Sequence, residues 1–481
     1  MHHTSLIPAR ILFPTLRAGP DGDFSHASSR IDDALRRGVG GFLLFGGTVD
    51  SVTALTRSLR AGAGRPLLIA SDLERGAGQQ VKGLAEIPPP RALAAVGEGA
   101  VIRGAGLMTG VEALRVGINW VLAPVSDLDL EPANPIVQTR SFGTDPLEVS
   151  EYVAGWIAGC QATGALACAK HFPGHGRTSV DSHDTVPVVE ASRDTLSHAD
   201  LVPFRAAVEG GVASVMTSHI AFPALDPSRT PATFSSAILG LLRSALGFEG
   251  LIASDALTMA GASTGRSPGP LACEAVRAGV DVLLDAPDVP VMAEALEEMA
   301  GTDSRFRERV EHSIRRIDAA AHGAPADAGD FVPSTGSTLA LGDWLLSSAP
   351  ARGQLGPIRT PIELVVVDDD LGFKYPPSSP SDVVAEDLRS MGIPLGSGGS
   401  RIVLAFAEPR ASKGRAGFGE SSLTAIRAAS GPAAAIVVFG HPRLVEQMPE
   451  GAPVVLAWHR QRLMQHAVAR WLRERLAVGN R

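Results

Sequence analysis

Cysteine is scarce in this chain, with only Cys160, Cys168 and Cys273 among 481 residues. They are odd in number, lack CxxC spacing and lie in or beside apolar stretches, which gives no disulfide framework and reads as reduced core thiols. Long apolar runs are missing too. Nowhere do about 18 apolar residues follow one another, and the opening "MHHTSLIPARILFPTL" has no basic region leading into a long apolar stretch. The expectation is a cytoplasmic protein with no membrane contact. Excess positive charge is also absent. Lys and Arg total 43 against 51 Asp and Glu, a net charge of −8 without long like-sign blocks, so no basic stripe offers itself to a nucleic acid. Beyond a β/α cadence there is no internal repeat of 20 to 50 residues.

What the chain does have is a series of short apolar runs separated by amphipathic stretches. "GVGGFLLFG" (38–46), "RPLLIASD" (65–72), "GINWVLAP" (117–124), "GALACAKH" (164–171), "VASVMTSH" (212–219), "GLIASD" (250–255) and "AGVDVLLD" (278–285) have the all-apolar character of parallel strands covered on both faces. Seven such units predict an α/β protein with a (β/α)₈ TIM-type barrel over residues 1–322. Residues 323–360 are rich in Ala, Gly, Ser and Pro and read as a linker. A second set of runs, "IELVVVDDD" (362–370), "RIVLAFA" (401–407), "AAAIVVFG" (433–440) and "APVVLAW" (452–458), alternates with helical stretches and predicts a smaller three-layer α/β sandwich over 361–481. Asp368 to Asp370 read as a solvated turn.

In the first region polar residues close the runs: Asp72, Lys170 with His171, Ser218 with His219, and Asp255. In a parallel barrel the C-terminal strand ends open on one face, where reacting groups gather. The richest stretch is "KHFPGHGRTSVDSH" (170–183). A metal reading of His171, His175 and His183 meets glycines and a proline that prevent a helix from aligning the first two. A Schiff-base reading of Lys170 needs a desolvated amine of lowered pKa, against which its neighbours His171 and Asp72 argue. In the acid/base reading, which we prefer, Asp181 orients the imidazole of His183, a group suited to giving and then taking a proton near neutral pH.

The whole 170–183 stretch resembles the signature loop of glycoside hydrolase family 3, in its β-N-acetylglucosaminidase branch. Three further segments resemble the same family: "GFEGLIASDALTMAGA" (247–262), "NPIVQTRSFGTDP" (134–146) and "IASDLERGAGQQV" (69–81). The resemblance implies Asp255 as nucleophile and an Asp181/His183 acid/base pair. It implies Asp72, Arg140, Lys170, His171, Gln80 and Met259 as sugar ligands. Gln80 stands where the branch commonly has arginine, and Arg75, Ala77 and Gly78 also depart from its pattern. Retaining hydrolysis of a terminal β-N-acetylglucosaminide follows as the expected activity, with a carbohydrate substrate, no cofactor or metal, a monomer or homodimer, and a place in cell-wall recycling. A phosphorylase, in which phosphate resolves the same intermediate, is the alternative; a sugar-binding protein without activity and a Schiff-base lyase rank below it.

Overall fold

The computed structural model describes residues 6–182, 185–327, 336–348, 351–374, 376–411 and 413–476. These divide into two units. The first comprises residues 1–85, 98–131 and 141–333; the second takes in 86–97, 132–140 and 334–481.

Each of the seven apolar runs in the first unit contains a strand. After β1 (Leu12–Phe13) and β2 (Thr15–Arg17) come β3 (Gly41–Phe45), β4 (Leu68–Ser71), β5 (Trp120–Val121), β6 (Leu166–Phe172), β7 (Ser214–Thr217), β8 (Leu251–Ala253) and β9 (Leu283–Leu284). The strands from β2 to β8 form one parallel sheet in chain order. The ring closes through β9: Ala253 bridges Val282, and Leu12 and Phe13 pair with Leu283 and Leu284. The interrupted pair β1 and β2 thus supplies the eighth stave. Pro14, which has no N–H to give to a ladder, separates the two pieces.

The barrel interior is filled rather than hollow. Phe13 and Trp120, on staves that are not neighbours, meet edge to face at 5.7 Å, and the Trp120 indole N–H donates to Ser214 Oγ at 2.8 Å. At the N-terminal strand ends a buried carboxylate, Asp281, gathers cations. Arg243 and Arg309 donate to it, Arg316 lies 3.4 Å away, and Ser313 Oγ and Ile252 N–H add bonds at 2.9 and 3.0 Å. Burial pushes the Asp281 carboxyl up, but the arginines together hold it below the usual carboxylate range.

The second unit is an α/β sandwich. Strands β11 (Glu363–Asp368), β12 (Arg401–Ala407), β13 (Ala433–Gly440) and β14 (Val454–Leu456) run parallel, with β10 (Ala351–Arg352) antiparallel at one edge. One face packs against Val384, Leu388, Val468 and Leu472, the other against Ile426. The stretch expected as a linker carries helix Gly336–Ser347 and β10 among its described residues.

The expectation of a solvated turn at Asp368 to Asp370 is corrected. Arg460 grips Asp368 through both terminal nitrogens at 2.8 and 2.9 Å and reaches Asp370 at 2.8 Å; Lys413 bridges Asp369 and Asp370 at 3.0 and 2.8 Å. A run of like charges is buried because Arg460, Lys413 and Arg415 and the N–H groups of Glu408 and Gly419, all from later in the chain, surround it, which local sequence cannot announce. Glu408 joins this network. Its backbone N–H donates to Asp370, and burial, with Asp370 nearby, pushes its carboxyl up.

Candidate active site

The C-terminal strand ends of the first unit place Asp72 just after β4, Lys170 and His171 within the end of β6, His219 after β7 and Asp255 after β8. All these strands are parallel, so the residues belong to one face of the barrel. Lys170 is only 2% exposed. Its ammonium lies 2.6 Å from Asp72 Oδ1 and 2.7 Å from Glu74 Oε1, a lysine held between two carboxylates. Glu74 was not singled out from the sequence, although it stands in the same Asp-x-Glu segment.

Burial pushes the thiol of Cys168, two residues before Lys170 on β6, up to about 12, with a hydrogen bond to Ser214 and the Lys170 charge pulling it down and Asp72 and Asp255 pushing it up. Asp255 Oδ1 accepts from the Ala256 N–H at 2.7 Å. It does not cap the short helix that follows, whose N-cap is Met259.

The loop after β6 is fastened by a carboxylate with no sequence signal of its own. Asp127 is fully buried and accepts from the His171 N–H at 3.2 Å, faces His171 Nδ1 at 2.7 Å, and accepts from the His175 N–H at 2.7 Å. A carboxylate has lone pairs enough for all three. His175 then spans from Thr178 Oγ1 at 2.7 Å to Ser182 Oγ at 3.1 Å. Gly176 allows the loop its path, since a Cβ there would lie 1.7 Å from the Leu128 carbonyl oxygen. Arg177 holds Asp200 through Nε at 3.0 and 2.8 Å; burial nevertheless pushes the Asp200 carboxyl up. Replacing Asp127 by Asn puts an NH₂ where N–H donors converge. It is expected to lower stability by about 2 kcal/mol, read as a shift of the denaturant midpoint at unchanged slope.

Of the remaining sequence-predicted residues, Asp181 is buried in the loop and Met259 is buried four residues beyond Asp255. Gln80 Oε1 accepts from the Gly46 N–H at 3.3 Å. Arg140 belongs to the second unit, where its Nη1 donates to the Ile136 carbonyl at 3.1 Å. Asp145 caps helix Pro146–Gln161, accepting from the Leu147 and Glu148 N–H groups. His183 lies outside the described residues. Its neighbour Ser182 is tied to the segment after Asp255, because the Gly261 N–H donates to the Ser182 carbonyl at 3.1 Å.

A closed parallel barrel whose carboxylates and lysine converge at the strand ends defines a barrel-enzyme architecture with a site rich in partners for hydroxyl groups. The chain belongs to glycosyl hydrolase family 3: the family's N-terminal domain model matches residues 26–320. A beta-N-acetylglucosaminidase/beta-glucosidase of Cellulomonas fimi is 32% identical over 380 residues, covering 75% of this chain and 65% of the relative. This chain therefore spans less than two thirds of that relative's length. A beta-hexosaminidase of Alkalilimnicola ehrlichii is 38% identical over 260 residues, 51% of this chain and 73% of the relative. Among solved structures, a family 3 beta-N-acetylglucosaminidase from Paenibacillus superposes with a TM-score of 0.84 at 25% identity, covering 100% of this chain and 98% of the other.

Proposed function

We propose that the chain is a retaining glycoside hydrolase that removes terminal β-linked N-acetylglucosamine. Asp255 attacks the anomeric carbon while His183, oriented by Asp181, protonates the departing oxygen. The glycosyl–Asp255 ester is then opened by water, with His183 as base. Asp72, Lys170 and His171, with Gln80 and Met259, hold the sugar; ammonium and carboxylate partners fix hydroxyls in the orientation the reaction needs.

The observation that carries the reading is that Asp72, Lys170 and Asp255 stand at the C-terminal ends of parallel strands on one face of the barrel, with the Lys170 ammonium 2.6 Å from Asp72 Oδ1. The bond from Gly261 to Ser182, between Asp181 and His183, supports it by tying the acid/base loop to the turn after Asp255. The names of the relatives support hydrolysis rather than phosphorolysis.

A panel of aryl glycosides, run with and without phosphate and followed by NMR, tests the proposal. Free N-acetylglucosamine should form first as its β anomer, at a rate indifferent to phosphate. First-formed α anomer, or a sugar 1-phosphate, would overturn it. Truncating His183 is expected to slow substrates with poor leaving groups far more than activated ones, because acid assistance is needed most where the departing oxygen is most basic. Equal losses on both would remove its role. Cell-wall recycling in the cytoplasm belongs to the same proposal; release of N-acetylglucosamine from a muropeptide would be the direct check of the recycling role.

A further inference from the structure

His219 is 0% exposed and has a partner at each ring nitrogen. Nε2 lies 3.1 Å from the Ala256 carbonyl oxygen. A carbonyl only accepts, so Nε2 carries the hydrogen in this contact. Nδ1 lies 2.9 Å from Thr233 Oγ1, which is itself 2.7 Å from Thr217 Oγ1 and 3.1 Å from the Ser218 carbonyl. The ring has no freedom to slide. Phe234 stacks on it at 6.3 Å with 14° between planes, and the Arg266 guanidinium covers Phe234 at 4.4 Å. Gly261 closes the other approach: a Cβ there would come within 3.0 Å of His219 Cβ and 2.8 Å of the Ser182 carbonyl oxygen.

The carbonyl that His219 holds is one Cα removed from the peptide N–H that Asp255 uses. Peptide planes are rigid, so orientation passes along the chain only through φ and ψ. The 256–257 plane is held at both ends, its oxygen by His219 Nε2 and the Met259 N–H at 3.1 Å, its Leu257 N–H by the Leu284 carbonyl at 3.1 Å. On the chain's other side, the Ser254 N–H donates to the Val282 carbonyl at 2.9 Å, and Ser254 Oγ accepts from the Leu284 N–H at 3.0 Å. The β9 side thus supplies several of the fastenings around Asp255. His219 is the side-chain fastening from β7.

We propose that His219 is a positioning residue for Asp255: anchored by Thr233 and Thr217, its Nε2–H fixes the Ala256 carbonyl, and through it the peptide whose N–H aims the Asp255 carboxylate. This rests on the assignment of Asp255 as nucleophile made above. Attack on an anomeric carbon is steep in distance and angle, and a displacement of about 1 Å in a reacting group costs about 10²-fold.

The test follows formation of the covalent intermediate, using a 5-fluoro β-N-acetylglucosaminyl fluoride, intact-mass spectrometry for the rate and peptide mapping for the site. Glutamine at 219 carries an N–H about as far from the backbone as Nε2, whereas asparagine reaches only toward Thr233. H219Q is therefore expected to label within about threefold of the unaltered chain, and H219N between about 10 and 100 times more slowly, with the dissociation constant of N-acetylglucosamine unchanged in both. Thr233→Val, which keeps the shape and removes the anchor, should slow labelling severalfold and serves if H219N does not fold. Labelling of H219N and T233V at the full rate would overturn the inference. So would equal slowing in H219Q, H219N and T233V with a matching fall in thermal midpoint, the signature of a purely structural role. Label on a residue other than Asp255 in the unaltered chain would instead remove the nucleophile assignment itself.

Discussion

Asp255→Asn is expected to cut turnover of an aryl β-N-acetylglucosaminide by about 10⁴-fold, a barrier increase of about 5.4 kcal/mol. The amide matches the carboxylate in size and keeps an oxygen to accept the Ala256 N–H, so the fold should be unaffected. What it removes is the negative charge that meets the developing oxocarbenium ion and the oxygen that forms the ester. Asp255→Ala should be equally slow but responsive to azide. The small anion enters from the face the carboxylate occupied and gives the α-glycosyl azide, inverted relative to the substrate. Activity of the Asn variant within tenfold of the original, or azide rescue giving a β-azide, would be incompatible with this assignment.

The largest effect on stability is expected at the opposite end of the barrel. Asp281 is 0% exposed, and its removal leaves Arg243, Arg309 and Arg316 facing one another without a counter-charge. Asp281→Asn should cost about 3–5 kcal/mol, the range for breaking a buried ion pair on one side. The pH dependence has a definite sign. Because the arginines hold the folded-state pKa below its ordinary value near 3.9, folding favours the ionised form. That stabilisation is present above the unfolded pKa and is lost as the pH falls through it toward the folded value. In D281N this part of the acid-induced loss should be missing, so the gap in stability between the two chains should narrow below about pH 4. Denaturant titrations at pH 7 and pH 3.5 measure both quantities, and a gap that widens on acidification would refute the account.

How far the sequence foretold the molecule depended on whether the signal was local. The seven apolar runs of the barrel and the four of the sandwich each contain a strand, because strands buried on both faces need near-continuous apolar residues. The eighth stave escaped detection. Leu12–Phe13 and Thr15–Arg17 are two short pieces either side of Pro14, too short for a pattern to register. The chemistry was legible in the same uneven way. Asp72, Lys170 and Asp255 end apolar runs, and that position alone put them on one face. Asp127 ends no such run and matters only because His171 and His175 fold back onto it, contacts made 44 and 48 residues further along. His219 ended a run and was noticed, but its work depends on Thr233 and Ala256, which no motif marks. Asp368 to Asp370 show the converse: a local pattern that reads as solvent-facing, overruled by Arg460 and Lys413 from distant sequence.

The pairing of β1 with β9 joins the first stave of the barrel to the last. Until residues 283 and 284 emerge during synthesis, Leu12 and Phe13 have no partner on that side, and a growing chain presents two raw sheet margins to its neighbours. A nascent barrel that lacks β9 is thus expected to self-associate more readily than the closed one, in which the Ala253–Val282 bridge and the β1–β9 pairing cover both margins.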